Sequence, residues 1–135
     1  MEQYWKFEQI AGFSRIDVEA RLAELLATPD LGAAWVALHD DELCGYLLAV
    51  HVFSLEHGGL MAEIDELFVL PSHRATGIGG SLLRTAEDAL GRRRCVRIQL
   101  QLGAGNEAAR AFYHRHGYRE RSAYELLDKP LPIGS

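Results

Sequence analysis

Cysteine is scarce in this chain of 135 residues, and its two copies, Cys44 and Cys95, stand far apart. Their spacing fits neither a structural metal site nor a redox motif, so both are expected to be free thiols. Long hydrophobic runs are also lacking. The most apolar stretch, residues 46–53, is interrupted by His51 and is far shorter than the roughly 20 residues that cross a bilayer. The N-terminus has no basic region followed by an apolar run, so no signal peptide is expected. These absences predict a cytoplasmic protein with no membrane partner.

Basic residues are also in deficit. Lys and Arg number 14 and Asp and Glu number 19, which gives a formal net charge of −5. A nucleic-acid-binding domain carries a basic stripe, and the run Arg92-Arg93-Arg94 is too short to form one, so no nucleic-acid partner is expected. Hydrophobic residues make up 48% and charged residues 24%, as in an ordinary folded protein. The length suits a single domain over residues 1–135.

Hydrophobic periodicity predicts the order of the elements. The predicted strands share an alternation of apolar and polar residues; they cover 4–10, 33–39, 43–53, 62–70, 96–102 and 118–128, the last as one strand or two. The predicted helices share one apolar face; they run from a Ser14 cap to Pro29, from Gly79 to Leu90 and from Asn106 to His116. Asp40-Asp41 predicts the turn of a hairpin. This order predicts a mixed α/β fold with helices on the faces of one sheet.

The most informative segment runs from Val69 to Gly80 and joins a strand end, a glycine-rich loop and a helix start. Glycines let the backbone reach positive φ and let a ligand approach closely. Converging N–H groups and the helix dipole would suit a phosphate, to which Arg74 adds a cation. A helix entered through a flexible turn explains the same residues, so this segment alone leaves both interpretations open. A Walker loop would need a lysine after the glycines, and a dinucleotide fingerprint would need Gly or Ala where Leu82 stands. Both nucleotide interpretations are therefore excluded.

A second segment, residues 106–118, predicts an amphipathic helix with marked ends. Asn106 is a good N-cap, and Gly117 can close the helix in a left-handed turn. Phe112 and Tyr113 stand together near its C-terminal end. Such an aromatic pair is most often part of a core, so this segment by itself indicates no chemistry.

Together, Arg74-x-x-Gly77-x-Gly79 and the later Asn106, Phe112-Tyr113 and Gly117-Tyr118 resemble the GCN5-related N-acetyltransferase (GNAT) superfamily. The resemblance runs from about Ile64 to the end of the chain, and residues 124–131 are similar to the family's final strand. It implies a central mixed, mostly antiparallel sheet that is splayed at an acetyl-CoA site and flanked by helices.

The resemblance also implies which residues bind acetyl-CoA as co-substrate. Backbone groups of Leu67, Phe68 and Val69 would contact the acyl-CoA arm, and Asn106 would contact the pantetheine. The residues implied for the pyrophosphate cradle are Arg74, Ala75, Thr76, Gly77, Ile78, Gly79, Gly80 and Ser81. No metal is expected, since His114 and His116 lie two residues apart on a helix and so on different faces.

Tyr113 is implied as the general acid. A phenol with a pKa of about 10 is protonated at neutral pH and can give a proton to a departing thiolate. The base that deprotonates the acceptor amine has three acidic candidates on the strand entering the site, Glu63, Asp65 and Glu66, of which the last two match acidic positions in polyamine-acetylating relatives. We favour Glu66 as the base and assign Glu63 and Asp65 to substrate binding, with a water chain as an equal alternative. Asp65 and Glu66 can line one wall only if a bulge intervenes.

The implied function is acetyl-CoA-dependent N-acetylation of a small cationic amine by direct attack in a ternary complex. Polyamines, aminoglycosides and amino-acid-like amines fit the acidic strand and the negative net charge. Two alternatives stay open: acetylation of a protein N-terminus or ribosomal protein, and a non-catalytic acyl-CoA-binding module. An exposed edge in the last strands would allow a homodimer.

Overall fold

The computed structural model describes residues 15–132, with side chains from residue 19 onward. In chain order the elements are α1 (Arg15–Ala27), β1 (Gly32–His39), β2 (Glu42–Ser54), β3 (Gly59–Val69), a 3-10 turn (Pro71–His73), α2 (Ile78–Arg92), β4 (Arg97–Leu100) and α3 (Glu107–Arg115). The chain forms two compact units whose boundary in the sequence lies between Gly103 and Ala104. The predicted strand over residues 4–10 and the Ser14 cap lie outside the described residues.

The strands of the first unit form a four-stranded sheet in the order β1-β2-β3-β4. β2 pairs with β1 and β3 in antiparallel fashion, whereas β3 and β4 are parallel. A parallel pair needs a crossover connection, and α2 provides it. The prediction of a mixed, mostly antiparallel sheet is confirmed.

The hairpin between β1 and β2 turns on Asp40 and Asp41, whose φ angles are 51° and 64°. Positive φ at both central residues is the geometry of a two-residue I′ turn, which matches the twist of the flanking strands. Aspartate tolerates this region better than most residues with a β-carbon. The hairpin that the sequence predicts at these two residues is confirmed.

α1 and α2 cover opposite faces of the sheet. Leu22 of α1 packs against a cluster that includes Tyr46, whereas Leu82 of α2 lies 3.3 Å from where a β-carbon on the adjacent Gly45 would stand. Successive strand residues point to opposite faces, so the two helices lie on opposite sides of β2. The buried residues of α2 recur every three or four positions, as one apolar stripe requires; they are Gly80, Leu82, Leu83, Ala86 and Leu90.

One predicted strand is wrong. After α3, the described residues up to 132 form no strand, and the side chains of Leu126, Leu127 and Leu131 are largely exposed. Alternation predicted a strand at 118–128, but a strand also needs a neighbour to share its ladder of hydrogen bonds, and the described sheet consists of β1, β2, β3 and β4. Among the helices of residues 15–132, none is long and apolar enough to cross a membrane.

Candidate active site

β3 and β4 pair over only part of their length. Their parallel register runs from Met61 opposite Arg97 to Ile64 opposite Leu100, where β4 ends while β3 continues to Val69. On its other side β3 stays paired with β2 up to its last residue. Among the strands of residues 15–132, none pairs with the second half of β3 on the β4 side, so this half is an open edge there.

The backbone of this open half directs polar groups toward the gap. The Leu70 N–H donates to the Cys44 carbonyl at 2.8 Å, so hydrogen bonds to β2 fall on Leu70 and, by antiparallel alternation, on every second residue before it. Leu67 and Val69 hold the alternate positions, and their N–H and C=O groups face away from β2. Phe68 directs its own backbone groups to β2, so two of the three predicted backbone contacts are available to a ligand.

The start of α2 supplies a group of amides close to this edge in sequence. Gly77 caps the helix with φ 86° and ψ 2°, a conformation that glycine adopts readily. A β-carbon here would meet no atom within 4 Å, so the space beside the cap is open. The N–H groups of Ile78, Gly79 and Gly80 have no acceptor within the helix, and the Ser81 N–H makes the first helical bond, to Gly77 at 3.0 Å. The geometry suits an anion.

Arg74 connects the loop to the end of β3. Its Nε donates to the Val69 carbonyl at 3.0 Å, and its Cζ lies 5.5 Å from the centroid of the Phe68 ring. These contacts hold a cation beside the open half of β3 and satisfy one of the carbonyls that face the gap. Arg74 is therefore fixed beside the end of β3, and its contact with a pyrophosphate stays a prediction.

The rest of the loop is held by local contacts. The Thr76 hydroxyl donates to the His73 carbonyl. Ala75 has a φ of 64°, which is uncommon for a residue that carries a β-carbon. The loop between Val69 and Gly77 thus contains one backbone conformation, at Ala75, that is unfavourable for its residue type.

A β-bulge controls where the acidic side chains of β3 point. Ile64 lies opposite Ala49, and Glu66 lies opposite Leu48, so Asp65 is an extra residue in β3. Glu63 lies opposite Val50, which shares a face of β2 with Leu48. The bulge therefore brings Glu63 and Glu66 to the same face, whereas regular alternation would separate them. The sequence analysis required a bulge for Asp65 and Glu66 to line one wall; the bulge is present, and the pair that it brings to one face is Glu63 and Glu66.

Glu66 is a buried charged residue, with 7% of its surface exposed. Its Oε1 accepts a hydrogen bond from the Tyr46 hydroxyl at 2.8 Å, and Tyr46 is 8% exposed. Tyr46 and Leu48 share a face of β2, which is the face that α1 covers. The carboxylate thus lies in an apolar cluster with a hydroxyl donor, a setting in which an ionisable group is retained for chemistry more often than on an open surface.

Glu63 and Asp65 lie close to the point where β3 and β4 separate. Gln99 of β4 donates through Nε2 to Glu63 Oε1 at 3.2 Å. Burial of its carboxyl group, and secondarily the negative charge of Glu63, raise the pKa of Asp65 above 3.8, although the residue as a whole stays exposed. A bound cation would relieve the repulsion between these two carboxylates.

The second unit holds Asn106 and Tyr113, and both occupy defined positions there. Asn106 caps α3, and its Oδ1 accepts from the Ala109 N–H at 3.2 Å, as the sequence predicts. Tyr113 is the buried residue of α3, with its ring centroid 5.1 Å from that of Phe112 and 5.5 Å from that of Tyr118. Its ring is therefore held by aromatic neighbours in its own unit.

The end of α3 is closed in two ways. Gly117 has a φ of 92°, and the Tyr118 N–H donates to the Tyr113 carbonyl at 3.0 Å, which is the predicted left-handed termination. Glu120 then accepts from His114 at 2.7 Å and from Arg110 at 2.9 Å. The hydrogen bond from His114 is the main reason that the pKa of Glu120 falls to about 2.

Two other histidines, His51 and His57, lie in the first unit. His51 contacts the Asp30 carbonyl through Nδ1 at 3.1 Å, beside the connection between α1 and β1, and His57 lies in the turn between β2 and β3. Among the described residues, no three His, Cys, Asp or Glu side chains are grouped so that they could hold a metal ion.

Sequence reasoning missed Tyr46 and Gln99. Tyr46 is the first residue of an apolar run that is typical of a buried strand, and its hydroxyl is the only local sign of a polar role. Gln99 carries no motif at all. Both become visible only when the register of β2, β3 and β4 is known, because each reaches its carboxylate across a strand pair.

Comparison with known sequences gives a consistent result. The model of the acetyltransferase (GNAT) family matches residues 1–118. An uncharacterized N-acetyltransferase from Archaeoglobus fulgidus is 37% identical over 115 residues, which cover 84% of this chain and 77% of that protein. The matched segments span 60% and 55% of two further curated relatives.

Solved structures agree with the sequence matches. An integron cassette protein from the mobile metagenome of Cole Harbour Salt Marsh superposes with a TM-score of 0.80 at 29% identity, over 96% of this chain and 80% of that one. An aminoglycoside acetyltransferase from an uncultured soil metagenomic sample has a TM-score of 0.68 at 27% identity, over 91% of this chain and 77% of that one.

Proposed function

The chain belongs to the acetyltransferase (GNAT) family and is an N-acetyltransferase, and from this premise we propose that it transfers the acetyl group of acetyl-CoA to a primary amine of a small cationic molecule. The family uses acetyl-CoA as co-substrate. We also propose that both compact units belong to one acetyltransferase domain over residues 1–135, because the family match continues across their boundary to residue 118.

The residues present fit acetyl-CoA at two places. The outward-facing N–H and C=O groups of Leu67 are placed to pair with an amide of an extended pantetheine arm, in the manner of an added strand, and the Val69 N–H faces the same gap. The open space beside Gly77, with the first amides of α2 and the cation of Arg74, fits a diphosphate. The bound thioester would supply an acetyl group activated for attack by an amine. Asn106, by the family pattern, would contact the pantetheine.

The protein's own residues then handle protons and orientation. An alkyl ammonium ion with a pKa of about 10.4 must lose a proton before it can attack. Glu66 takes that proton, directly or through one water molecule, because it is the buried carboxylate on the open half of β3. The backbone N–H of Val69 would hold the developing oxyanion. Tyr113 would give a proton to the thiolate, a role that rests on the family pattern.

The negative charge near the point where β3 and β4 separate indicates the class of acceptor. Glu63 and Asp65 repel one another, and an acceptor with a second positive charge between them removes that repulsion. Such acceptors include polyamines and aminoglycosides, and the aminoglycoside acetyltransferase with a similar structure supports the second group. The single observation that carries this proposal is the joint presence of open strand amides and buried Glu66 on one strand segment.

The test is an assay of free thiol release from acetyl-CoA with a panel of acceptors. The panel contains diamines, aminoglycosides, amino-acid amides and short peptides with free N-termini. We expect turnover with dicationic acceptors and little with peptides. Glu66→Gln should lower kcat by about 100-fold and Tyr113→Phe by about tenfold or more, with acetyl-CoA affinity unchanged in both.

Matched controls are available in the exposed tail, where Glu125→Gln and Tyr124→Phe make the same chemical changes. Both controls should keep full activity. Acetyl-CoA binding without turnover on any acceptor would favour a non-catalytic module, and selective turnover of peptides would favour protein N-terminal acetylation.

A further inference from the structure

The hydrogen bond between Tyr46 and Glu66 links a residue with no assigned role to the proposed base. Tyr46 stands on β2 opposite Phe68, so it reaches Glu66 diagonally across the strand pair. Glu66 lies opposite Leu48, two residues from Tyr46 on β2, so Glu66 and Tyr46 share a face. The contact follows from this register, and it places a phenol donor on the carboxylate.

The surroundings of this pair restrict its motion. The rings of Tyr46 and Phe68 lie 6.1 Å apart, and Leu22, Ala34 and Leu70 pack around the same cluster. Buried carboxylates need hydrogen-bond partners, and a donor fixed by packing selects one orientation of the group. A carboxylate that must accept a proton from a bound amine gains from such fixed orientation.

We propose that Tyr46 is a positioning residue for the acceptor half-reaction, holding the Glu66 carboxylate in the orientation in which it accepts the proton of the incoming amine. The proton passes from the ammonium nitrogen to a carboxylate oxygen of Glu66, and the nitrogen lone pair becomes available for attack. Tyr46 keeps its own proton and donates it to Oε1 throughout. This inference rests on the proposed function, since it assigns a partner to the proposed base.

The kinetic test is a double-mutant cycle with Tyr46→Phe, Glu66→Gln and the double variant. Tyr46→Phe removes one hydroxyl and keeps the ring, and it should lower kcat by about tenfold with little change in the KM for acetyl-CoA. In the Glu66→Gln background the same substitution should have no further effect, because it acts through that carboxylate. Tyr124→Phe is the matched control and should leave activity unchanged.

A readout that does not depend on activity accompanies the cycle. The described ionisable groups on the elements around Glu66 include Tyr46 on β2, Glu63 and Asp65 on β3, and Arg74 in the following loop. α1 carries Glu19, Arg21 and Glu24 and packs its Leu22 against the cluster. The carbon-13 signal of the Glu66 carboxyl, assigned by its loss in Glu66→Gln, should titrate about one pH unit higher in Tyr46→Phe, because a donor favours the charged form.

The outcomes distinguish failure of the proposed function from failure of the positioning role of Tyr46. Wild-type protein without amine turnover would overturn the proposed function, and the carbon-13 titration would still report whether Tyr46 controls the carboxylate. Active wild type with additive effects in the cycle, or an unmoved titration in Tyr46→Phe, would overturn the positioning role. If Tyr46→Phe loses cooperative unfolding, the titration is repeated with Tyr46→Met, which also removes the donor but has a flexible side chain that can fill the site. The Glu66 signal should again move about one pH unit higher, and an unmoved signal in that folded variant would overturn the positioning role.

Discussion

The substitution Gly77→Ala should affect the stability of the protein and its affinity for acetyl-CoA by different amounts, which can be measured separately. Gly77 has a φ of 86°, and a β-carbon there would meet no atom within 4 Å. The stability cost therefore comes from the left-handed backbone alone, which costs a residue with a β-carbon about 1 kcal/mol. For a chain of this size that corresponds to a Tm lower by about 4 °C.

The effect on acetyl-CoA should be larger than this cost. A diphosphate held by the first amides of α2 approaches the backbone closely, so the added methyl group occupies ligand space that the protein leaves open. If the backbone instead relaxes to negative φ, the amides of Ile78 and Gly79 no longer converge. Either response should weaken acetyl-CoA binding by about tenfold or more, which is about 1.4 kcal/mol.

Two measurements decide the result. Thermal unfolding reports stability, and isothermal titration calorimetry reports the Kd for acetyl-CoA. Gly91→Ala is the matched control, because a β-carbon there also meets no atom within 4 Å but its φ is not positive. It should bind acetyl-CoA normally and unfold at a slightly higher temperature. A Gly77→Ala protein with lowered Tm and unchanged Kd would show that the diphosphate binds elsewhere.

Three further predictions concern the same unit. Gly45→Ala places a β-carbon 2.9 Å from the Phe68 carbonyl oxygen. This overpacking should lower the free energy of unfolding, measured by urea titration, by about 2 kcal/mol. A loss below about 0.5 kcal/mol would mean that β2 and β3 can move apart at little cost. Asp65 has a raised pKa, so its folded form binds the proton more tightly, and its stabilising contribution below pH 3.8 is lost as the pH rises through the folded pKa. Asp65→Asn should therefore raise Tm by about 2 °C at pH 7 and not at pH 3, while the KM for a dicationic acceptor increases; an equal effect at both pH values would contradict it. Ala75→Gly relieves a φ of 64° and should leave stability equal or slightly higher, whereas a loss above about 1 kcal/mol would show that the backbone strain is small.

The sequence predicted those features that depend on neighbouring residues. The cap at Asn106, the left-handed closure at Gly117 and the turn at Asp40-Asp41 are each determined by the chemistry of two or three adjacent residues. The glycine-rich loop belongs to the same class. The family resemblance was available from the spacing of these signals along the chain.

Features that depend on the register of two strands could not be predicted in the same way. The bulge at Asp65 exists because β2 and β3 pair with one residue of mismatch, and no local pattern records that mismatch. The partner of Glu66 follows from the same register. The strand predicted over residues 118–128 failed for a related reason, since alternation describes one side of a pair and says nothing about whether a partner is present.

The extra residue in β3 gives this strand one position at which its length can change without moving the proposed base. Loss of Asp65 would leave Ile64 opposite Ala49 and Glu66 opposite Leu48, so regular pairing would replace the bulge and Glu66 would stay on the α1 face. Loss of any other single residue of β3 could be absorbed only by a shift of register, which exchanges the two faces over part of the strand. Related chains can thus differ in length at this one position and still place a carboxylate beside the coenzyme loop.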